Sequence, residues 1–349
     1  MKKALYLLTV GLVALLGAAV AQAHQSSATL TGAGSTFVSP LVSVWTPALG
    51  SAFDDTIQYA PVGSGGGIQA ISNRSVDFGA SDAPLTPDQF AACNGCLQIP
   101  WALAGTAIDY NIPGLAVPKN TNLKLTGPVI AKIYMGQITS WNDPAIKALN
   151  PKATLPALKI TPIYRTGNSG TTYNFTDYLA AVSPQWKSQL GTGQAVAWPT
   201  GIGANGSAGV AATVENSPGT IGYTDTAFAV ANHLHFASIK NAAGNFVNPG
   251  IRNVAAAAAA VRSVPANGEL HIVNPSKANR NAYPISTFTY VIVSTHSPQA
   301  TMLRKFIFYG LTSGQAFGPK LGFAPIPVGH ATACPVPSCA FHAGLVEAR

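Results

Sequence analysis

Between Ile163 and Leu179 the chain reads IYRTGNSGTTYNFTDYL. Arg165 ends a β-branched run, residues 166–171 form a Gly/Ser/Thr loop, and Tyr173, Phe175, Tyr178 and Leu179 share one broad helical face. Such a loop directs backbone N–H groups, hydroxyls and a positive helix end at one point. A guanidinium beside it adds a planar fork suited to a tetrahedral oxyanion. The second chemical residue is Asp82, which closes the short strand of VDFGASD. A carboxylate next to a bound anion is repulsive, and burial raises that cost. The conflict disappears for a ligand that has a proton to donate. Phosphate at neutral pH has one and sulfate does not, so one acceptor among many donors selects phosphate. Taken alone, Asp82 also reads as a turn cap before Pro84, and the loop hydroxyls as ordinary helix caps.

These residues need elements to hold them. A strand, a Gly/Ser/Thr loop at residues 32–36 and a helix carrying Leu41, Val42, Trp45 and Leu49 open the chain. The arrangement returns with a strand at 57–60, a loop at 63–67 and a helix from Ile68, and a third time around Gly167. In an open α/β sheet such loops converge at the carboxyl ends of the strands. Further strands are expected at 76–80, 107–112, 115–117 and 283–294, the last strongly β-branched. Thr126 and Asp143 are expected to cap helices, VAATVENSPGTIGYTD reads as helix, turn and strand, and residues 253–262 as an alanine-rich helix. A polar stretch at 232–249 suggests a surface hairpin, residues 301–309 a helix, and the Pro/Gly-rich tail from Pro319 a wrap around the first lobe. Chain crossings near residues 102–106 and near Pro284 predict two lobes, each a mixed sheet flanked by helices, with a hinge and a ligand cleft. The expected boundaries are 24–103 plus 284–349 for one lobe and 104–283 for the other.

The whole chain is consistent with a soluble exported protein. Lys2 and Lys3 precede an apolar run, and Ala21-Gln22-Ala23 has the form of a cleavage site, so residues 1–23 read as a signal peptide. No cysteine follows it to carry a lipid. Removing 23 of the 349 residues leaves 326, enough for two lobes. Lys2 and Lys3 belong to the leader, which lowers the formal charge from +8 to +6. The remaining cations are scattered, which argues against nucleic acid and for small anions or simple solubility. Cys93/Cys96 and Cys334/Cys339 read as two local disulfides in an oxidising compartment, against a redox or zinc role. With only 12 acids, few native carboxylate pairs exist to be lost on protonation, which suggests tolerance of acidic surroundings.

GAGSTF, GSGGG, VDFGASDAPL, IYMGQITSWNDPAI, YRTGNSGTTYNFTDYL and SPGTIGY occur in that order and together closely resemble the phosphate-binding proteins of bacterial phosphate-specific ABC transporters. The resemblance covers nearly all of the mature chain. It implies a two-lobed periplasmic-binding-protein fold of type II that holds dehydrated phosphate and delivers it to membrane permease subunits. It also implies a monomer without cofactor, metal or catalytic activity. Carried over motif by motif, Thr36 and the N–H of Phe37 would donate from the first loop and Ser64 from the second. Asp82 would accept the ligand's proton, while Arg165, Ser169, the N–H of Gly170 and Thr171 would complete the site. One position departs. The family motif reads Arg-x-Asp-Gly-Ser-Gly-Thr, and Gly167 stands where its aspartate pairs with the arginine. Asn168 is then the nearest candidate to steady the guanidinium.

Two other functions compete. An exported phosphohydrolase would share anion loops but needs a nucleophile with its base, or a His/Asp metal cluster. A receptor for another oxyanion, such as sulfate or molybdate, would have to tolerate Asp82. The stretch at residues 201–206, GIGANG, imitates a dinucleotide fingerprint with Asp225 beyond it, but Trp198-Pro199 breaks the strand that should precede it. His233 and His235 read as solvated residues on the hairpin, with no acid or cysteine close in sequence.

Overall fold

The computed structural model describes residues 29–53, 56–259 and 261–327. The leader, Cys334 and Cys339 lie outside the described residues. In chain order the strands are β1 (Thr29–Gly34), β2 (Thr56–Ala60), β3 (Phe78–Ser81), β4 (Cys96–Tyr110), β5 (Lys124–Leu125), β6 (Thr161–Arg165), β7 (Ile202–Ala204), β8 (Thr220–Asp225), β9 (His235–Phe236), β10 (Ser238–Lys240), β11 (Phe246–Val247) and β12 (Ser286–Ser294). One sheet runs β2-β1-β3-β12-β4-β8-β6-β7, with β9 added against β4. β1 is parallel to β2 and β3, and β6 is parallel to β7 and β8. The first lobe forms around β1 and the second around β6, giving the two-lobed periplasmic-binding-protein fold.

The joint between them is β4. Its residues CLQIPWALAGTAIDY are apolar almost throughout, and all but Leu97 are buried, as expected of a strand covered on both faces. At 15 residues it is far longer than the usual five or six and spans about 50 Å. Residues 96–105 pair antiparallel with β12 in the first lobe, and Thr106–Tyr110 pair antiparallel with β8 in the second. The second crossing is fastened at the same residue, since Thr106 N donates to Ile285 O at 2.8 Å and Tyr283 OH donates to Thr106 O at 2.7 Å. Pro100, which has no N–H to give, stands where the β4–β12 register shifts.

Each lobe has its own aromatic core. Trp45, Phe78, Trp101 and Phe306 meet with ring centroids 5.1–6.3 Å apart in the first. In the second, Phe175 stacks on Tyr223 at 4.3 Å and Tyr134 meets Phe175 at 4.8 Å. Leu41, Val42, Trp45 and Leu49 are buried as the helical pattern requires. The end of the described chain lies on the first lobe, where Ala324 N donates to Leu103 O and Phe323 meets Phe37. The predicted disulfide Cys93–Cys96 is present. A hairpin of β10 and β11 fills the polar stretch, and the exposed His235 stacks its ring on Tyr110.

Several local expectations need correction. The second helix starts at Ser64 rather than Ile68, so the glycines taken for a loop form its first turn. They are there for closeness: a Cβ on Gly67 would lie 2.5 Å from Gly34 Cα and 2.6 Å from Ala33 O. The third such helix likewise starts inside its expected loop, at Gly170. Residues 115–117 make only an isolated bridge, Ala116 with Thr154. Thr126 is at an N-cap without a side-chain capping bond, whereas Asp143 Oδ1 accepts from Ala145 N at 2.8 Å. The alanine-rich helix is Ile251–Ala258.

Candidate functional site

The three glycine-rich turns bring their polar groups to the seam between the lobes. β1 delivers Ser35, Thr36 and Phe37, the Ser64–Ser72 helix delivers Ser64, and the end of β3 delivers Asp82. From the other side β6 delivers Arg165, and the Gly170–Val182 helix begins with Ser169, Gly170 and Thr171. Ser64, Asp82, Arg165, Ser169 and Thr171 are all buried. The lobes touch: a Cβ on Gly170 would lie 2.5 Å from Ser64 Oγ and 2.7 Å from Asp82 Cβ. Gly65 N also donates across the seam to Asn168 O at 3.1 Å.

Asp82 is held by hydroxyls. Ser35 Oγ donates to its Oδ1 at 2.5 Å and Ser64 Oγ to its Oδ2 at 3.3 Å, while its own N–H donates to Ser64 Oγ at 3.2 Å. Its carbonyl accepts from Asn174 Nδ2 at 3.2 Å and Thr287 Oγ1 at 3.4 Å. Asp82 is therefore no turn cap; Ser81 takes that task, its Oγ accepting from Ala83 N at 3.1 Å and donating to Ala83 O at 2.6 Å. Burial pushes the Asp82 carboxyl up to about 6, against the opposing effects of Ser35, Arg165 and Ser64. Phe37 N donates to Ser35 Oγ at 3.0 Å, so Ser35 accepts from the backbone while giving its own proton to the carboxylate.

Among the described residues no carboxylate is in ion-pair contact with Arg165. Its Nη1 donates to Ser207 Oγ at 3.1 Å and Thr171 Oγ1 at 3.4 Å, and its backbone N donates to Tyr223 OH at 3.0 Å. Tyr223 OH in turn meets Thr172 Oγ1 at 2.8 Å. Burial lowers the guanidinium's pKa, and the charges of Asp82 and Asp225 work the other way. Asn168 makes no bond to Arg165, and its side chain is not what steadies the fork. Ser207 does that instead, and it also meets Thr36 Oγ1 at 3.1 Å, tying the two lobes through one hydroxyl. Ser169 Oγ accepts from Thr172 N at 3.2 Å as a helix cap, which leaves its own proton free for another acceptor.

All eight expected residues thus lie along the seam, and five others join them. Ser35 is inside GAGSTF, where sequence alone does not say which of two adjacent hydroxyls faces the carboxylate. Tyr223 and Asp225 close the SPGTIGYTD strand, and Asn174 follows the arginine loop. Ser207 directly follows residues 201–206, the false dinucleotide fingerprint. That stretch is a fourth strand–turn–helix unit, β7 running into the helix Gly206–Asn216, with β7 parallel to β6. The glycine-rich turn itself, the same device as in the other three units, is its available signal in the sequence. Beyond Thr36 and Arg165 a cavity of about 650 Å³ opens between the lobes. Among the described residues no group of three or more His, Cys, Asp or Glu side chains is placed to hold a metal ion, and no helix is long and apolar enough to cross a membrane.

Residues 19–313 match the model of the PBP superfamily domain. The phosphate-binding protein PstS of Xylella fastidiosa (strain 9a5c) is 35% identical over 304 residues, covering 86% of this chain and 82% of its own. The phosphate-binding protein PstS of Pasteurella multocida is 35% identical over 319 residues, covering 90% and 91%. Among solved structures, a high affinity periplasmic phosphate-binding protein (PfluDING) bound with phosphate superposes with a TM-score of 0.68. It is 23% identical and covers 87% of this chain and 92% of its own.

Proposed function

Since the chain belongs to the PBP superfamily and, within it, to the phosphate-binding proteins, we propose that it is a non-catalytic receptor that captures inorganic phosphate outside the cytoplasm and hands it to an ABC-type permease. The observation that carries this reading is Asp82: a buried carboxylate among hydroxyls, facing a second lobe whose nearest groups are donors. An anion closed into that seam has to bring a proton for Asp82, and orthophosphate does so at neutral pH. Thr36, Ser64, Ser169, Thr171, Arg165 and the N–H groups of Phe37 and Gly170 are its donors. For the Phe37 amide to donate to the ligand, it has to exchange its bond to Ser35 for one to phosphate.

The first lobe runs to about residue 105 and resumes near Ile285, the second lies between, and the two part by bending at Thr106 and Ile285. Residues 1–23 are removed on export, and the mature chain works as a periplasmic monomer with no nucleic-acid partner. Ligand-stripped mature protein, titrated calorimetrically with phosphate and then sulfate, tests the reading. One-to-one phosphate binding with no sulfate response at pH 7.5 is expected. Equal binding of both anions would remove Asp82 from its role, and turnover of p-nitrophenyl phosphate scaling with pure protein would favour a hydrolase.

A further inference from the structure

The cavity beyond Thr36 and Arg165 is roomier than a single tetrahedral anion requires, and at about 650 Å³ falls in the range of small-molecule sites. Two helix starts line it from opposite lobes. Gly63, Gly65 and Gly66 come from the head of Ser64–Ser72, and Asn205, Gly206, Ser207 and Ala208 from the head of Gly206–Asn216. Neither helix has a side-chain cap; at the first of them the N–H of Gly65 is taken by Asn168 O, so the Gly206–Asn216 helix presents the freer positive end. An independent observation comes from Arg165. It lines the same cavity, is 5% exposed, and its Nε has no partner among the described residues. Among the described residues no acidic side chain lines the cavity. Gly167 does line it, with φ +71 and nothing within 4 Å of where a Cβ would stand. The aspartate of the resembling motif would occupy that open wall and place a negative charge beside the guanidinium.

We infer that this cavity receives a second phosphoryl group covalently joined to the one on Asp82, so that the site takes condensed phosphates, inorganic pyrophosphate being the smallest, alongside orthophosphate. The inference rests on the phosphate-receptor reading and extends it. One end of pyrophosphate lies among Ser64, Asp82 and Thr171, and the other is met by the Arg165 guanidinium and the two helix starts. The substituent of an organic phosphate ester brings no second anion for those donors. Replacement of the motif's aspartate by Gly167 is then the change that admits the longer anion.

Calorimetric titration of ligand-stripped protein at pH 7.5 with orthophosphate, pyrophosphate, non-hydrolysable imidodiphosphate and glycerol 3-phosphate tests this. Pyrophosphate and imidodiphosphate are expected to bind one-to-one within about tenfold of orthophosphate, and glycerol 3-phosphate at least tenfold more weakly than either. Gly167→Asp, tolerated because aspartate visits the left-handed region, should weaken both condensed anions at least tenfold more than it weakens orthophosphate. Ala208→Asp, in the first turn of its helix where a carboxylate favours folding, should act in the same direction. Orthophosphate binding without pyrophosphate binding would overturn the inference and leave the receptor reading intact. Glycerol 3-phosphate binding as tightly as pyrophosphate, unaffected by Gly167→Asp, would also overturn it. Silence with every anion would remove both.

Discussion

The two halves of the site use the same scaffold to opposite electrical ends. In the first lobe the glycine-rich turns gather hydroxyls around an acid, Asp82; in the second they gather hydroxyls around a base, Arg165. Neither charge is within ion-pair distance of an opposite one among the described residues. Burial raises the pKa of one and lowers that of the other. Each lobe therefore holds a charge that it stabilises only partly by itself, and the best remaining partner is whatever closes between them. A site in which each ion already had its counter-ion would gain less from an anion, because forming the complex would first break a pair.

That contrast is broken most strongly by removing the base. Arg165→Ala should weaken phosphate binding by about 3 kcal/mol or more, roughly two orders of magnitude, read by calorimetry. A loss below tenfold would mean that the helix starts, not the guanidinium, carry the second half. Asp82→Asn should cost phosphate only about tenfold, on the order of 1–2 kcal/mol, while sulfate begins to bind. Sulfate still excluded by this variant would place discrimination elsewhere.

Acidification sharpens the same contrast without mutation. With Asp82 near 6 and Asp109 pushed up to about 7, both by burial, the folded chain keeps protons that the unfolded chain releases near pH 4. Stability from these groups is complete below pH 4 and is lost as pH rises through 6 and 7. Tm of the ligand-free protein should rise by about 5 °C from pH 8 to pH 5, and sulfate binding should appear below pH 6 as Asp82 becomes a donor. A flat Tm over that range would show that water reaches these carboxyls. The smallest effect belongs to His271, whose pKa is raised mainly by its hydrogen bond to Asp177. Its contribution is present below about pH 6.5 and lost as pH rises through the raised value. His271→Ala should therefore lower Tm slightly at pH 5.5 and not at pH 9.

How far these features were legible in the sequence follows from their range. The repeated strand–turn–helix units, the aromatic faces and the charged pair Asp82/Arg165 are local patterns, and short segments display them. Helix starts were misplaced at Ser64 and Gly170 because glycine signals looseness along the chain, whereas here it signals contact across space. Ser207 was missed because its value comes from touching Thr36 and Arg165, residues 171 and 42 positions away. No strand precedes GIGANG, but the stretch contains one: three residues are too short for periodicity to reveal, yet their pairing with β6 sets a helix end at the cleft.

β4 has a consequence for how the molecule melts and how it can be re-engineered. One unbroken backbone ladder serves both lobes, so neither can fray along that ladder without loosening the strand the other depends on. Heating should give a single cooperative transition rather than two. By the same token the lobes are not exchangeable cassettes. A graft of one lobe from a relative would have to carry β4 whole and respect the register on both sides of Thr106.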